Sequence, residues 1–274
     1  MRPQTFHKYC FLATFLFLLS CHKESKTTGG NCQIASVEIH ANNGELPVRD
    51  IYTYDDQGRI TRVDEIGLSS GSMSSSFYAY GNGQITYTTS FSSTPSIFYL
   101  DNNNRVVKFA VVDTTDGVVN SGFIYYSYSQ DGHLAQTISV DSNKFNSNRD
   151  TAVIVWGSNG NPSQINHFQS SSSPGTTNVL GHFTTSIVES NEKYMYLTGY
   201  ESVLSSYQPD VEYNVISKYQ GTPPVNLMAS YSPVSLEATL TYSYTKNSDG
   251  YIASMVMTYS AGKVATYTFT YNCH

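Results

Sequence analysis

Residues 52–60 read YTYDDQGRI: Tyr52 and Tyr54 at alternate positions, a run of turn formers ending at Gly58, and the aliphatic Ile60 two residues beyond. Period-two alternation is the mark of a strand with one covered face, and the Asp, Gln and Gly between suit a tight turn. The pattern returns as Tyr78, Tyr80, Gly83, Ile85 in YAYGNGQI and as Phe98, Leu100, Asn104, Val106 in FYLDNNNRV. It returns again as Tyr126, Tyr128, Gly132, Leu134 in YSYSQDGHL, as Val153, Val155, Gly160 in VIVWGSNGN, and as Tyr242, Tyr244, Gly250, Ile252 in YSYTKNSDGYI. Each copy reads strand, turn, strand.

Between the copies lie Ser, Thr, Asn and Gly clusters at 69–76, 142–148 and 169–178, which read as the connections at the opposite end of a sheet. Successive hairpins then form a meander of about sixteen or seventeen strands between residues 33 and 272. The fold expected is all-β: an antiparallel meander of repeated hairpins, strongly curved, closed or nearly closed like a barrel. Helical periodicity is confined to one short candidate, ESVLSSY at 201–207. Pro223, Pro224 and Pro233 break the repeat over 219–233, because a proline pair does not fit a central strand; this stretch is expected to be a long ordered loop or cap, fixed through Leu227 and Met228.

The composition agrees with a sheet. Of the 274 residues, 39% are hydrophobic, 14% aromatic and only 13% charged, and 23 Tyr outnumber 15 Lys plus Arg. This excludes a coiled coil, an acidic disordered tail and a multi-span helical membrane protein.

The N-terminus has its own pattern. Arg2 and Lys8 precede the apolar run FLATFLFLLS, which is too short to span a bilayer and reads as a secretory signal peptide over 1–20. Its end, Leu18, Leu19, Ser20, Cys21, resembles the lipobox of bacterial lipoproteins. The resemblance implies that the Cys21 thiol takes a diacylglyceryl group and becomes the first mature residue, a membrane partner through lipid. His22 stands where an inner-membrane retention Asp would be, so the resemblance implies the outer membrane, facing periplasm or cell surface. Residues 21–31 read as a flexible lipidated tether, and 32–274 as a single hairpin-repeat domain.

Without residues 1–20 the chain keeps 13 basic against 21 acidic residues, a net charge of −8. An acidic domain with no Lys/Arg cluster is a poor nucleic-acid binder. Of the four Cys, Cys10 lies in the signal and Cys21 takes lipid; Cys32 and Cys273 remain as a disulfide pair for an oxidising compartment. Such a bond needs Cα atoms within about 7 Å, so the first and last strands are expected to pair and close the sheet.

At YTYDDQGRI the chain also resembles the YD repeat of RHS-type bacterial surface proteins, through Tyr52, Tyr54, Asp55, Gly58, Arg59 and Ile60. Over residues 18–274 it resembles YD-repeat-like lipoproteins of unknown function, through the lipobox, Cys32-x-Ile34, the hairpins, the proline-broken insertion and the final Tyr271-x-Cys273. The resemblance implies a β-rich extracytoplasmic domain and no catalytic residue.

Motifs that spell chemistry each have a simpler reading. Gly67-Leu68-Ser69-Ser70-Gly71 spells G-x-S-x-G, but a nucleophile elbow needs a following helix and here another hairpin follows. Ser190 and Lys193 fit S-x-x-K without its companion motifs, so a turn is expected. His40, His133, His167, His182 and His274 show no zinc-like spacing, Asp101 in DNNNR lacks the Gly and Glu of an EF-hand, and no cofactor or metal is implied. The carboxylates Asp55 and Asp56, or Asp64 and Glu65, are near in sequence, which does not place them across a cleft. The Tyr faces suit stacking on sugar rings, although strand Tyr more often simply pack the sheet.

The strands mix Ser, Thr, Asn and Gln onto both faces and the chain ends in Cys273 and His274, which favours a water-soluble barrel over a transmembrane one. The function expected is a non-enzymatic envelope binding or scaffold role, with a glycan or another envelope ligand. The alternative is an envelope or polysaccharide hydrolase whose catalytic residues come from separate hairpins.

Overall fold

The computed structural model describes residues 32–273 apart from 42–46, 116–117, 143–146, 174–175, 194–215, 234–238, 260–261 and 263. The signal, Cys21, the tether and the candidate helix at 201–207 lie outside the described residues. Those described form sixteen strands: β1 Cys32–Ala41, β2 Val48–Tyr54, β3 Ile60–Gly67, β4 Met73–Gly81, β5 Gln84–Thr89, β6 Ser92–Leu100, β7 Val106–Thr115 and β8 Val118–Tyr128. They continue as β9 Leu134–Ser142, β10 Ser147–Trp156, β11 Pro162–Ser173, β12 Thr176–Lys193, β13 Asn226–Pro233, β14 Leu240–Lys246, β15 Ile252–Tyr259 and β16 Val264–Cys273. Each pairs antiparallel with its neighbours in sequence, and β1 pairs β16, so the meander is a closed barrel without an exposed edge.

Closure is set by the register of the first and last strands. Val37 lies opposite Phe269, Ile39 opposite Tyr267 and Ala41 opposite Ala265, one covered row against another. At the start of this seam Cys32 and Cys273 are joined by a disulfide at a sequence separation of 241, with Cα atoms 4.0 Å apart.

Alternation then sorts every strand. Tyr52, Val63, Tyr78, Ile85, Tyr87, Phe98, Phe109, Tyr126, Ala152, Ile154, Ile165, Ile187, Tyr242, Met255, Tyr267 and Phe269 are all buried, and they form one core inside the ring. A sixteen-stranded porin encloses water. Here the inner face carries completely buried Val37, Ile85, Phe98, Val106 and Ile165, so this part of the ring encloses side chains instead.

The two ends of the barrel differ. Both cysteines and the turns at 55–59, 101–105, 129–133, 157–161 and 247–251 share one end, here the cap end. The hairpins around 67–72 and 89–92 mark the far end. The proline-broken stretch divides in two: residues 226–233 form β13, and only the part before it is irregular. That part runs from the buried Ile216 through a 3-10 turn at Ser217–Tyr219 to Val225. The proline pair stays outside the ladder, whereas Leu227 and Met228 enter it and are buried.

Candidate functional site

The repeated aromatics, whose flat faces suit a ligand, are held by hydrogen bonds to the barrel's own backbone. In every copy but FYLDNNNRV, where Leu100 stands instead, an aromatic at or near the strand's cap end reaches across to a backbone carbonyl at or near the start of the neighbouring strand. The Tyr80 hydroxyl donates to the Ile60 carbonyl (2.6 Å), Tyr128 to Val106 (2.6 Å), Tyr244 to Met228 (2.6 Å) and Tyr271 to Ile252 (2.7 Å). Tyr54 donates to Ile34 (2.7 Å), and Trp156 Nε1 takes the same role toward Leu134 (2.7 Å). Burial pushes the Tyr80, Tyr128, Tyr244 and Tyr271 hydroxyls well above the ordinary phenol range, so they remain protonated donors.

The turn residues complete this latch. Asp55 Oδ1 accepts from the N–H groups of Gln57 and Arg59, its Oδ2 accepts from Arg59 Nε, and the guanidinium lies 4.4 Å above the Tyr80 ring. The bonds from Arg59 hold the Asp55 carboxyl below the usual carboxylate range. Asp101 and Arg105 repeat this geometry on Tyr128, also at 4.4 Å, with Asn104 at φ 58° where Gly58 has 73°. His133 stacks on Trp156 at 4.1 Å in place of the arginine, and Asn247 replaces the aspartate at 247–251. The motif is therefore an Asx-turn hairpin with an aromatic latch, and its side chains are spent on the fold.

This corrects the resemblance to YD-repeat lipoproteins. The spacing shared with that repeat is the spacing of a latched hairpin, and here the hairpins close on themselves as a sixteen-stranded ring. Neither the YD-repeat assignment nor the lipoprotein identity drawn from that family follows from it.

The candidate chemical motifs are dispersed. Ser69 sits in the turn between β3 and β4, where the Gly71 N–H donates to the Gly67 carbonyl (2.7 Å) and a strand follows. Ser190 Oγ accepts from the Glu192 N–H (3.1 Å), and Lys193 is exposed at the end of β12. His40 bonds the Glu38 carboxylate (2.7 Å), and His182 stacks on Phe168. His133 is more than an exposed strand start, since its Nδ1 lies 2.9 Å from the Thr222 carbonyl of the cap. Among the described residues no three His, Cys, Asp or Glu side chains come together as metal ligands. Asp64 and Glu65 diverge, as neighbours on a strand must: Asp64 faces outward to Arg62 and Ser75, while Glu65 faces inward opposite Asp50.

Two arrangements were not singled out from sequence. On the outer wall, Tyr99, Lys108, Tyr125 and Ile138 stand opposite one another in a row across β6–β9, with Ile97, Ala110, Phe123 and Val140 in the next row. Lys108 Nζ lies 4.4 Å from the Phe123 ring centre, 5.6 Å from Tyr125 and 5.7 Å from Tyr99. Tyr99 and Tyr125 keep 38% and 41% of their surface exposed. Across the ring the outer wall is hydroxylated instead: Thr241 faces Thr258, Ser254 faces Thr268, and Ser36 bonds Thr270.

Inside, toward the far end, lie Asp50 beside Glu65 and, on β10 and β11, Asp150, His167 and Gln169. Asp50 is 2% exposed, and burial together with the nearby Glu65 charge pushes its carboxyl up to about 7.

The geometry defines a class: a closed, disulfide-joined, sixteen-stranded antiparallel barrel with a buried side-chain core on its inner face. No protein-family profile and no curated protein matches the chain. Among solved structures it is similar to a porin-like protein from Bacteroides uniformis ATCC 8492, with a TM-score of 0.60 and 15% identity over 87% of this chain and 96% of that one. It is also similar to a porin-like protein from Bacteroides vulgatus ATCC 8482, with a TM-score of 0.58 and 13% identity over 87% and 98%. At such identities the likeness is one of fold, and it extends over 87% of this chain.

Proposed function

We propose that this chain is a non-enzymatic β-barrel protein of the outer membrane that binds envelope glycans on its β6–β9 face. The observation carrying the ligand is the exposed row of Tyr99, Lys108 and Tyr125 with Phe123 beside it. Tyr and Phe rings offer flat apolar faces for the C–H side of a sugar, and the ammonium among them can donate to hydroxyls or carboxylates. The fold shared with the two porin-like proteins supports the membrane setting.

In this reading the barrel wall stands in water. A spanning barrel carries an apolar outer band with aromatic girdles, whereas this wall carries the Arg49–Glu38 and Arg62–Asp64 ion pairs and the Ser/Thr rows. Attachment then falls to an acylated Cys21, with the tether entering at Cys32 on the cap end.

A glycan array probed with the purified protein tests the ligand: retention on at least one glycan is expected, with about tenfold or greater loss in Tyr99→Ala and Tyr125→Ala. Equal binding by wild type and both variants would refute the assigned face. Turnover of the bound glycan, abolished by one carboxylate substitution, would make the protein a hydrolase.

A further inference from the structure

The inner polar cluster is separate from the outer aromatic face and from the latches. Asp50 and Glu65 lie opposite each other on β2 and β3. Asp150 on β10 lies opposite Gln169 on β11, whose Nε2 donates to Asp150 Oδ2 (3.2 Å). In the ring order β2 and β10 are eight strands apart, so the two acidic sets occupy opposite walls. No Lys or Arg faces inward among the described residues of this half: Arg49, Arg62, Lys108 and Arg149 all fall on the outer face of their strands.

The hydrogen bonding of the cluster is incomplete. Asp50 Oδ1 and Asp150 Oδ1 accept no hydrogen bond. His167 is 1% exposed and stacks on Phe183 at 4.5 Å, and neither of its ring nitrogens has a partner. Its Nδ1 lies 3.9 Å from Asp150 Oδ1, so the buried imidazole and the carboxylate share one place. Buried polar atoms ordinarily find partners, and acceptors left open inside the ring call for a donor. The Asp150 side chain keeps 19% of its surface exposed, which gives the β10–β11 set access to solvent.

The missing donor has a definable chemistry. A metal ion needs three or more ligands at one point, and the described carboxylates do not gather in that way. Two acidic sets on opposite walls call for one molecule with two cationic ends, each rich in N–H donors. We propose that the far half of the barrel interior binds a linear di- or polyammonium ligand, one ammonium held by Asp50 and Glu65 and the other by Asp150, His167 and Gln169.

Calorimetric titration of the purified protein with spermidine at about pH 8 and physiological salt tests this, with putrescine and sodium chloride as comparison titrants. Saturable 1:1 binding of spermidine is expected, with at least tenfold weakening in Asp50→Asn and in Asp150→Asn. The outer-wall variant Asp64→Asn should bind as wild type does. His167→Phe, which keeps the stack on Phe183 and removes both nitrogens, should weaken binding about fivefold, and it serves where an Asp variant does not fold. Circular dichroism of each variant checks that the barrel is intact. No saturable heat with the folded wild type would overturn the proposal, as would binding unchanged by the inner substitutions or weakened equally by Asp64→Asn. The glycan-array result depends on none of these residues, so either reading can fail alone.

Discussion

Cys32 and Cys273 face each other in the seam where the first strand meets the last, with Cα atoms 4.0 Å apart at a sequence separation of 241. The bond closes nearly the whole domain into one covalent loop, and by chain-entropy reasoning such a loop is worth on the order of 3–5 kcal/mol. The β1–β16 pairing continues to Ala41 opposite Ala265, so the folded ring does not rest on the sulfurs alone. Reduction or Cys32→Ser is therefore expected to lower the urea midpoint while far-UV circular dichroism keeps its β signature. An unchanged midpoint after reduction would show that the bond constrains nothing in the unfolded chain.

The latches make a graded prediction. Tyr80→Phe and Tyr128→Phe each remove one hydroxyl donor and leave the Ile60 or Val106 carbonyl without it, while the ring and its stacked arginine remain. Each should cost about 1 kcal/mol, and the double variant about the sum, since the two sit in separate hairpins. Urea unfolding measures both. A loss confined to one of them would break the equivalence of the repeats.

The cap makes a sharper one. Gly221 has φ 87°, and a Cβ there would overlap the Gly132 carbonyl oxygen and come within 2.9 Å of the Tyr128 ring. The neighbouring Thr222 N–H donates to that same Gly132 carbonyl (2.9 Å), so relief by movement would break the bond that holds the cap to the turn. Gly221→Ala should destabilise by roughly 2–3 kcal/mol through left-handed strain and displacement together. Limited proteolysis should cut the variant near residue 221 sooner than wild type; equal cutting would mean that the cap is not pinned there.

Much of this architecture is legible in the sequence because the hairpin repeat is written in period two with turn formers at fixed places. Tyr52, Tyr78, Tyr126 and Tyr242 fall on the covered face, and the turn glycines adopt positive φ. What the repeat leaves unread is which partner each strand side chain meets. The Tyr80 hydroxyl reaches Ile60, twenty residues back, through a register that no local pattern encodes. The inner polar groups carried a signal that period two could have exposed: in VRDIYTY, Asp50 shares the face of Tyr52 and Tyr54, and in QINHF, His167 shares the face of Ile165. A charge on the covered face is the anomaly, and reading carboxylates by nearness in sequence passed over it. The outer aromatic row was hidden for another reason, since Tyr99, Lys108 and Tyr125 meet only across three strands.

Membrane attachment through Cys21, as proposed, gives a fractionation test. Cys21→Ala removes the sulfur that would carry the diacylglyceryl group, whose chains bury methylenes at about 0.8 kcal/mol each. The variant should still be exported yet appear in the soluble fraction, with the same circular dichroism in the absence of detergent. Retention in salt-washed membranes would locate the attachment in the barrel wall instead.

Asp50 links the interior to pH. Its carboxyl is raised from 3.8 to about 7, first by burial and then by the charge of Glu65 across the β2–β3 pair, with the neighbouring Tyr52 hydroxyl opposing the shift. On its other side β1 presents Val37, which brings no charge. Between about pH 4 and pH 7 the folded chain thus holds a proton that the unfolded chain has released, and stability falls as pH rises through that window. The loss approaches ~4 kcal/mol at about pH 7, where the folded carboxyl also ionises, and grows no further above it. Asp50→Asn removes the ionisation while keeping the shape, so in urea unfolding it should exceed wild type by a few kcal/mol at about pH 8 and match it within about 1 kcal/mol near pH 4.5. The difference between the two proteins isolates this group from the other carboxylates, which titrate alike in both. An offset that is the same at both pH values would mean that Asp50 is ionised in the fold throughout, and that the acidic lining is solvated rather than buried.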